Sequence, residues 1–380
     1  MKPKALFFKN KILKLILMTA FCIGIYLYFR SGNTYLPVED LYIPSIIAVD
    51  INKYSTNDIE YVGAISVYNF SDEGKITSTT KIGKASSLPE IREQRQLTSD
   101  HKFILGLEKV DVYGIDLAKF SLHTFINVTF INPNINDTSL ICVYNGKVTE
   151  LLNIKPQNQL SIGDTLEGLL KRSTEYNFFS SNYKLMDMYV RLDAEGRNIV
   201  LPLVGVKKNE PQIIGMALFN HDKMVTSIDM YETKAMNLLR ENNVKGQLTL
   251  QKNPKDSLVY YASSKRKVKC TKKNGKYYFQ IELSLAGDVT SNSLFDNISE
   301  SEDSQKLFEK SISSYTEKYC ENFINKMQKN YKIDCLELGE VAASKYGRRT
   351  GVDWNKIICE NSVINVKVTS KIVNTGRGQY

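Results

Sequence analysis

Histidine and tryptophan are the scarcest chemically versatile residues in this 380-residue chain, with three copies of the first and one of the second. His101, His123 and His221 lie far apart, and neither HExxH nor CxxC occurs. These absences exclude the usual ligand spacings of zinc enzymes and zinc modules, so each histidine is expected to be structural. A phosphate-cradling loop is missing too, because Gly74 and Gly83-Lys84 have neither the Walker spacing nor its Ser/Thr. No GxSxG elbow presents a serine nucleophile, so a Ser/His/Asp set would have to be gathered from unrelated positions. The six cysteines are widely scattered, which excludes a disulfide-dense scaffold. The chain is therefore expected to be no enzyme, with no cofactor and no metal site.

Acidic residues are absent from the first 30 positions, which hold Lys2, Lys4, Lys9, Lys11, Lys14 and Arg30. With those six set aside, the formal charge of +9 shrinks to 44 cations against 41 acids. That balance is ordinary for a soluble domain, and nucleic acid is not an expected partner. Hydrophobic residues at 42% and charged residues at 24% fit a globular body rather than a disordered one.

One long apolar run is present, and its solitude excludes a polytopic membrane protein. Residues 15–29 contain no charge, and Ile12 and Leu13 extend the run across Lys14. At about 1.5 Å per residue the stretch 12–29 rises about 27 Å, close to the ~30 Å hydrocarbon thickness of a bilayer. Lys14 can snorkel to the headgroups, and Tyr26 and Tyr28 suit the opposite interface. Five lysines before the run and one arginine after it place the N-terminus in the cytoplasm and the rest outside. A cleaved signal peptide and a lipidated Cys22 are the rival readings. Phe21 before Cys22, and the bulky Tyr26-Leu27-Tyr28-Phe29 where a small-x-small site should follow, favour a retained anchor.

The exported part shows no internal repeat and no low-complexity tract. Residues 45–51 and 59–70 are rich in β-branched and aromatic side chains and read as strands. A helix is expected over 88–99, then a strand at 109–115, one helix over 116–130, and a strand at 139–144. This strand–helix–strand order suggests a local α/β unit with a right-handed crossover if its strands are parallel. Short helices follow at 160–172 and 183–192. Pro202 and Pro211 flank the best domain boundary, Lys207-Lys208-Asn209-Glu210.

Beyond it the pattern turns more antiparallel. Strands are expected at 213–219, 246–250, 259–263 and 266–271, with a turn at Asn220-His221-Asp222 and a helix over 231–240. Asn274-Gly275 is the strongest hairpin signal in the chain. After it Tyr277, Phe279, Ile281, Leu283 and Leu285 alternate with polar residues. Ser299 and Glu302 resemble a capping box. A helix over 303–330 should bury the stripe Phe308, Ile312, Tyr315, Tyr319, Phe323 and Met327. A helix at 336–345 and a strand at 363–372 complete an α+β architecture with antiparallel-rich sheets and packed helices. The expected division is a stub and anchor over 1–33, then domains over 34–209 (with two subdomains as an option) and 210–376.

Two groups remain. Cys142 reads as a core residue, and Cys320, Cys335 and Cys359 as reduced packing residues, with a bridge to Cys359 as the alternative. Lys265, Arg266, Lys267, Lys269, Lys272, Lys273 and Lys276 straddle the hairpin turn with no acid between Ser257 and Ile281. Their functional reading is attraction to anionic headgroups or wall polymers. The ordinary reading, a solvated hairpin whose lysines block strand aggregation, is preferred on sequence alone.

The order of segments, rather than any catalytic motif, resembles the C subunit of the nutrient germinant receptors of endospore-forming bacteria, the Ger(x)C group. The resemblance is carried by Val38-Glu39-Asp40-Leu41 with Ala48-Val49-Asp50, by LGLEKVDVYGIDLAKF at 105–120, and by LICVYNGKVTELL at 140–152. Val200-Leu201-Pro202-Leu203, GMALFNHDKM at 215–224, Leu338-Gly339 and the ending 366–375 extend it over about 38–376. Glu108 stands where the family often has His, and the charges usual around 132–135 are absent. Phe21 replaces the small residue that precedes the family's lipidated Cys.

The resemblance implies a multidomain mixed α/β fold and a non-enzymatic, membrane-tethered subunit acting in spore germination. It implies two polytopic partners, A and B, in the spore inner membrane. A tethered solute-binding protein and an exported cell-wall enzyme are the alternatives.

Overall fold

The computed structural model describes residues 3–31, 36–53, 55, 58–70, 74–156, 159–251, 253 and 255–375. Two units separate, Met1–Leu41 and Tyr42–Tyr380. Among the described residues the first contains one long helix, α1 (Pro3–Ser31), and a 3-10 turn at Val38–Asp40.

Strand β1 (Leu41–Lys53), which starts at the last residue of the first unit, leads into the second and forms an antiparallel meander with β2 (Ile59–Phe70) and β3 (Ile76–Ala85). Next come α2 (Leu88–Leu97), β4 (Lys102–Phe103), β5 (Val110–Gly114), α3 (Ile115–Phe120), α4 (His123–Ile131) and β6 (Leu140–Tyr144). Then follow α5 (Val148–Leu152), α6 (Ile162–Arg172), α7 (Leu185–Asp193), β7 (Val200–Lys207), β8 (Glu210–Asn220) and β9 (Lys223–Asp229). The strands form one nine-stranded sheet ordered β3-β2-β1-β5-β6-β7-β8-β9, with β4 beside β1. Its centre, β1-β5-β6-β7, is parallel. Every residue of β5 is buried, as a parallel strand covered on both faces requires. One face packs Tyr113, Leu117, Phe125, Leu185 and Met188. The other packs Val112, Cys142, Leu151, Leu166 and Leu170.

The helix expected over 116–130 is broken in two. Ser121 Oγ donates to the Asp222 carboxylate, His123 N–H donates back to Ser121 Oγ at 3.0 Å, and Leu122 N–H donates to Asp222 O at 2.9 Å. A turn about 100 residues away thus draws the chain out of the helix, a contact no local pattern could reveal. The expected boundary at 207–210 is a tight hairpin inside the first sheet, with Lys208 and Asn209 at positive φ. Strands β8 and β9 therefore continue the sheet that precedes it.

The chain then forms α8 (Met230–Arg240) and a second sheet ordered β10-β11-β12-β13. Its strands are β10 (Lys245–Gln251), β11 (Ser257–Lys273), β12 (Lys276–Asn292) and β13 (Ser362–Asn374). The two strands expected at 259–263 and 266–271 are one 17-residue strand, because Ser264 and Lys265 stay in register with Leu285 and Ser284. Between β12 and β13 lie α9 (Glu302–Lys326), α10 (Leu338–Tyr346) and α11 (Trp354–Glu360). The N-cap of α9 is Ser301, whose side chain accepts from Ser304 N–H, rather than Ser299. The stripe Phe308, Ile312, Tyr319, Phe323 and Met327 is buried as its spacing dictates, with Tyr315 partly buried beside it. This core also takes Val200, Met216 and Leu218 from the first sheet. The fold is mixed α+β with two sheets and, among the described residues, eleven α-helices.

Candidate interaction surfaces

Among the described residues α1 alone is long and apolar enough to cross a membrane, over Leu13–Arg30, judged by length and composition. Leu15, Ile16, Leu17, Met18, Phe21 and Ile23 are exposed, and no charge occurs between Lys14 and Arg30. Thr19 Oγ1 approaches Leu15 O and Ile16 O at 2.9 Å each, so its hydroxyl is satisfied within the helix, as hydrocarbon would require. Cys22 is free and exposed three residues on. The other five cysteines are free and buried, as the reading of Cys142, Cys320, Cys335 and Cys359 as reduced packing residues expected, and the alternative bridge to Cys359 is not formed.

The seven cations around the Asn274-Gly275 turn do not share one face. Alternation along β11 and β12 turns Lys265, Lys267, Lys269, Lys273 and Lys276 to one side of the sheet. Arg266 points to the opposite side, where its Nη2 donates to Leu336 O at 3.0 Å and burial lowers its pKa. Lys272 also turns that way, its ammonium 4.8 Å from the Tyr277 ring centroid. The run read as one patch is therefore split between the two sides of the sheet, and of its cations Arg266 is the one drawn into the fold.

A buried ionic cluster was not foreseen. Glu337, itself in a left-handed conformation, receives Arg240 Nη2 at 2.6 Å, Arg191 Nε at 3.1 Å and Arg197 Nε at 3.7 Å. Burial would raise its pKa, but the three guanidiniums prevail and hold it down at about 2. Arg240 also donates to Cys335 O at 2.8 Å. Beside it Asp334 is fully buried, which pushes its carboxyl up to about 6 although Gly339 N–H and Leu336 N–H both donate to it. Arginine and glutamate are common enough that only the glycines could have signalled this place. Gly196 lies at φ +74°, and a Cβ there would fall 2.3 Å from the Gly339 carbonyl carbon. A neighbouring cleft of ≈ 440 Å³ is bounded by Glu195, Asn198, Asn220 and Trp354. Five of its polar residues engage one another: Asn198 with Asn355 at 2.6 Å, Asn355 with Asn220 at 3.0 Å, and Trp354 Nε1 with Glu195 at 3.0 Å.

Two residues of the resemblance have structural places. Asp50, buried at the end of β1, accepts from Ile51 N–H at 2.9 Å and from Leu117 N–H in the first turn of α3 at 3.3 Å. Gly114 makes room for it, since a Cβ there would sit 2.1 Å from the carboxyl carbon. Glu108 closes a loop by accepting from Gly106 N–H at 2.8 Å and Asn136 N–H at 2.7 Å. His101 stacks on Tyr42 at 4.4 Å, whereas His123 and His221 are exposed.

The fold agrees with what the chain is similar to. Residues 34–206 match the family model described as the spore germination protein N-terminal domain, and residues 214–376 match the spore germination B3/GerAC-like C-terminal model. The chain belongs to this family of spore germination proteins, the germinant receptor C subunits. Among curated proteins it resembles the spore germination protein GerQC of Bacillus cereus, 23% identical over 353 residues covering 90% of this chain and 93% of that protein. Among solved structures it resembles the crystal structure of the GerBC protein, with a TM-score of 0.51 and 17% identity over 86% of this chain and 97% of that one.

Proposed function

We propose that this chain is a non-catalytic, membrane-tethered subunit of a nutrient germinant receptor complex. Helix α1 holds it in the spore inner membrane with the bulk outside the cytoplasm, beside two polytopic partners of the A and B type. The observation that carries the reading is the order of parts: an apolar helix, then two family matches spanning 34–206 and 214–376. The division into 1–33, 34–209 and 210–376 remains a proposal, since the first sheet runs on past residue 210 through β8 and β9. The non-catalytic role is supported by where the buried charges are spent. Asp50, Glu108, Asp334, Arg240 and Glu337 each hold backbone or an internal ion partner.

The test is genetic. Spores lacking the chain, in a strain without redundant receptors, should lose the response to one class of nutrient yet still germinate with a stimulus that bypasses receptors. Normal responses to every nutrient would remove the assignment.

A further inference from the structure

The second sheet presents a face that the sequence run only partly describes. On β11 and β12, Lys265, Lys267, Lys269, Lys273 and Lys276 point outward. The parallel pairing of β12 with β13 places Glu282 opposite Lys367 and Ala286 opposite Lys371, so β13 adds two more lysines to the same side. Across these three strands the face carries seven lysines against two carboxylates, Glu282 and Asp288. Among the described residues only Lys269 is paired there, with Glu282. The carboxylate feels Lys269 first and then Lys267 and Lys367, which together lower its pKa. Tyr278, the one exposed aromatic of β12, lies on this side near the turn. A protein partner would need buried anchor pockets and apolar hot spots, and the outward row offers Ser284, Ala286, Gln280 and Thr369 instead. Spread lysines with one interfacial aromatic suit a diffuse anionic surface.

The covalent layout supplies the nearest such surface. Nine residues lie between the end of α1 at Ser31 and Leu41, where β1 begins, so the ten steps reach at most about 35 Å. A bilayer holding α1 therefore presents its headgroups to the exported body at high effective concentration. We infer that the outward face of the second sheet, centred on Lys265, Lys267, Lys269 and Lys367, docks on the anionic phospholipid headgroups of the membrane that holds α1. This rests on the tethering proposed above.

The test uses the full chain reconstituted into vesicles of phosphatidylcholine alone or of phosphatidylcholine with one third phosphatidylglycerol. Lysines are acetylated for a short time and read out peptide by peptide. Lys265, Lys267 and Lys367 should label about threefold or more slowly in the anionic vesicles and recover in about 0.5 M salt, while Lys318 and Lys356 label alike in both. The triple variant Lys265→Glu, Lys267→Glu, Lys367→Glu, at exposed positions, should abolish the protection of Lys273 and Lys371. Equal labelling of the face in both vesicles, with the chain co-floating with them, overturns the docking surface. A chain that floats with neither vesicle overturns the tether instead. Equal protection by soluble polyglutamate added to phosphatidylcholine vesicles also overturns the lipid assignment, in favour of a wall polymer or acidic protein.

Discussion

Single side chains give this protein opposing pH dependences. Asp111 is fully buried beside Glu108, and burial pushes its carboxyl up to about 8 although Ser139 Oγ donates to it. Asp334 is raised to about 6 for the same reason. A raised folded value means that the native state keeps a proton the unfolded state has lost above about pH 4. Each contribution is full below that pH and disappears as pH rises through the folded value, with a slope of up to about 1.4 kcal/mol per unit. Glu337 has the opposite sign, and its contribution is lost as pH falls from about 4.5 toward about 2. Stability should therefore peak in mild acid. The urea midpoint should fall between pH 5 and pH 8, and Asp111→Asn should flatten the part of that limb above pH 6. Parallel limbs for the two proteins would exclude Asp111 as the cause.

At the scale of elements, α1 and β13 each expose a hazard that the sequence answers locally. For α1 the answer is length and purity. Each Leu, Ile or Phe near a bilayer centre contributes roughly 0.3–0.6 kcal/mol toward insertion, so the run outweighs Lys14 near one end. Replacing Ile16, Leu17 and Ile23 with Asp should release the protein from membranes, whereas Cys22→Ala should leave it membrane-bound at its original mass. Diacylglycerol found by mass spectrometry on an N-terminal Cys22 would reverse that expectation.

For β13 the hazard is a free strand edge. Glu309, Ser313 and Glu317, spaced four apart on α9, accept the N–H groups of Ile372 at 3.0 Å, Ser370 at 3.0 Å and Val368 at 2.8 Å. The helix thus supplies acceptors where a neighbouring strand would have done so, closing the edge to other chains. Ser313→Ala should cost about 1–2 kcal/mol by leaving one N–H without that acceptor. Glu309→Ala with Glu317→Ala should add self-association visible by light scattering. A double variant that stays monomeric and equally stable would show the edge needs no such cover.

The whole body from Tyr42 onward is tied together across its two sheets. Val200, Met216 and Leu218 of the first sheet share a core with Leu258, Phe279 and Phe308 of the second region. Arg191 and Arg197 reach Glu337 and Glu340 from the other direction. One cooperative transition is expected, with Trp354 fluorescence and far-ultraviolet circular dichroism coinciding. Glu337→Gln should shift both by about 3 kcal/mol or more, since it leaves the buried Arg240 short of its main counter-charge. Two separated transitions in the unaltered protein would show that the shared core does not couple the sheets.

Read along the chain, local sequence was enough for α1 as an apolar run, for β2 at its observed bounds, for the Asn274-Gly275 hairpin and for the buried stripe of α9. These depend on side chains close in sequence, where spacing fixes which face is apolar. The family was legible in the same way, as an order of weak local blocks. The polar edge strand β3, the short helices α5 and α11, and the break at Ser121 were not, because each exists through a distant partner. Thr80 Oγ1 finds Leu152 O at 3.0 Å, and Trp354 finds Glu195 across 159 residues. The Glu337 cluster was hidden for the same reason, and so was the true basic face. A run of lysines states how many charges there are, but only strand alternation and the parallel arrival of β13 decide which of them meet.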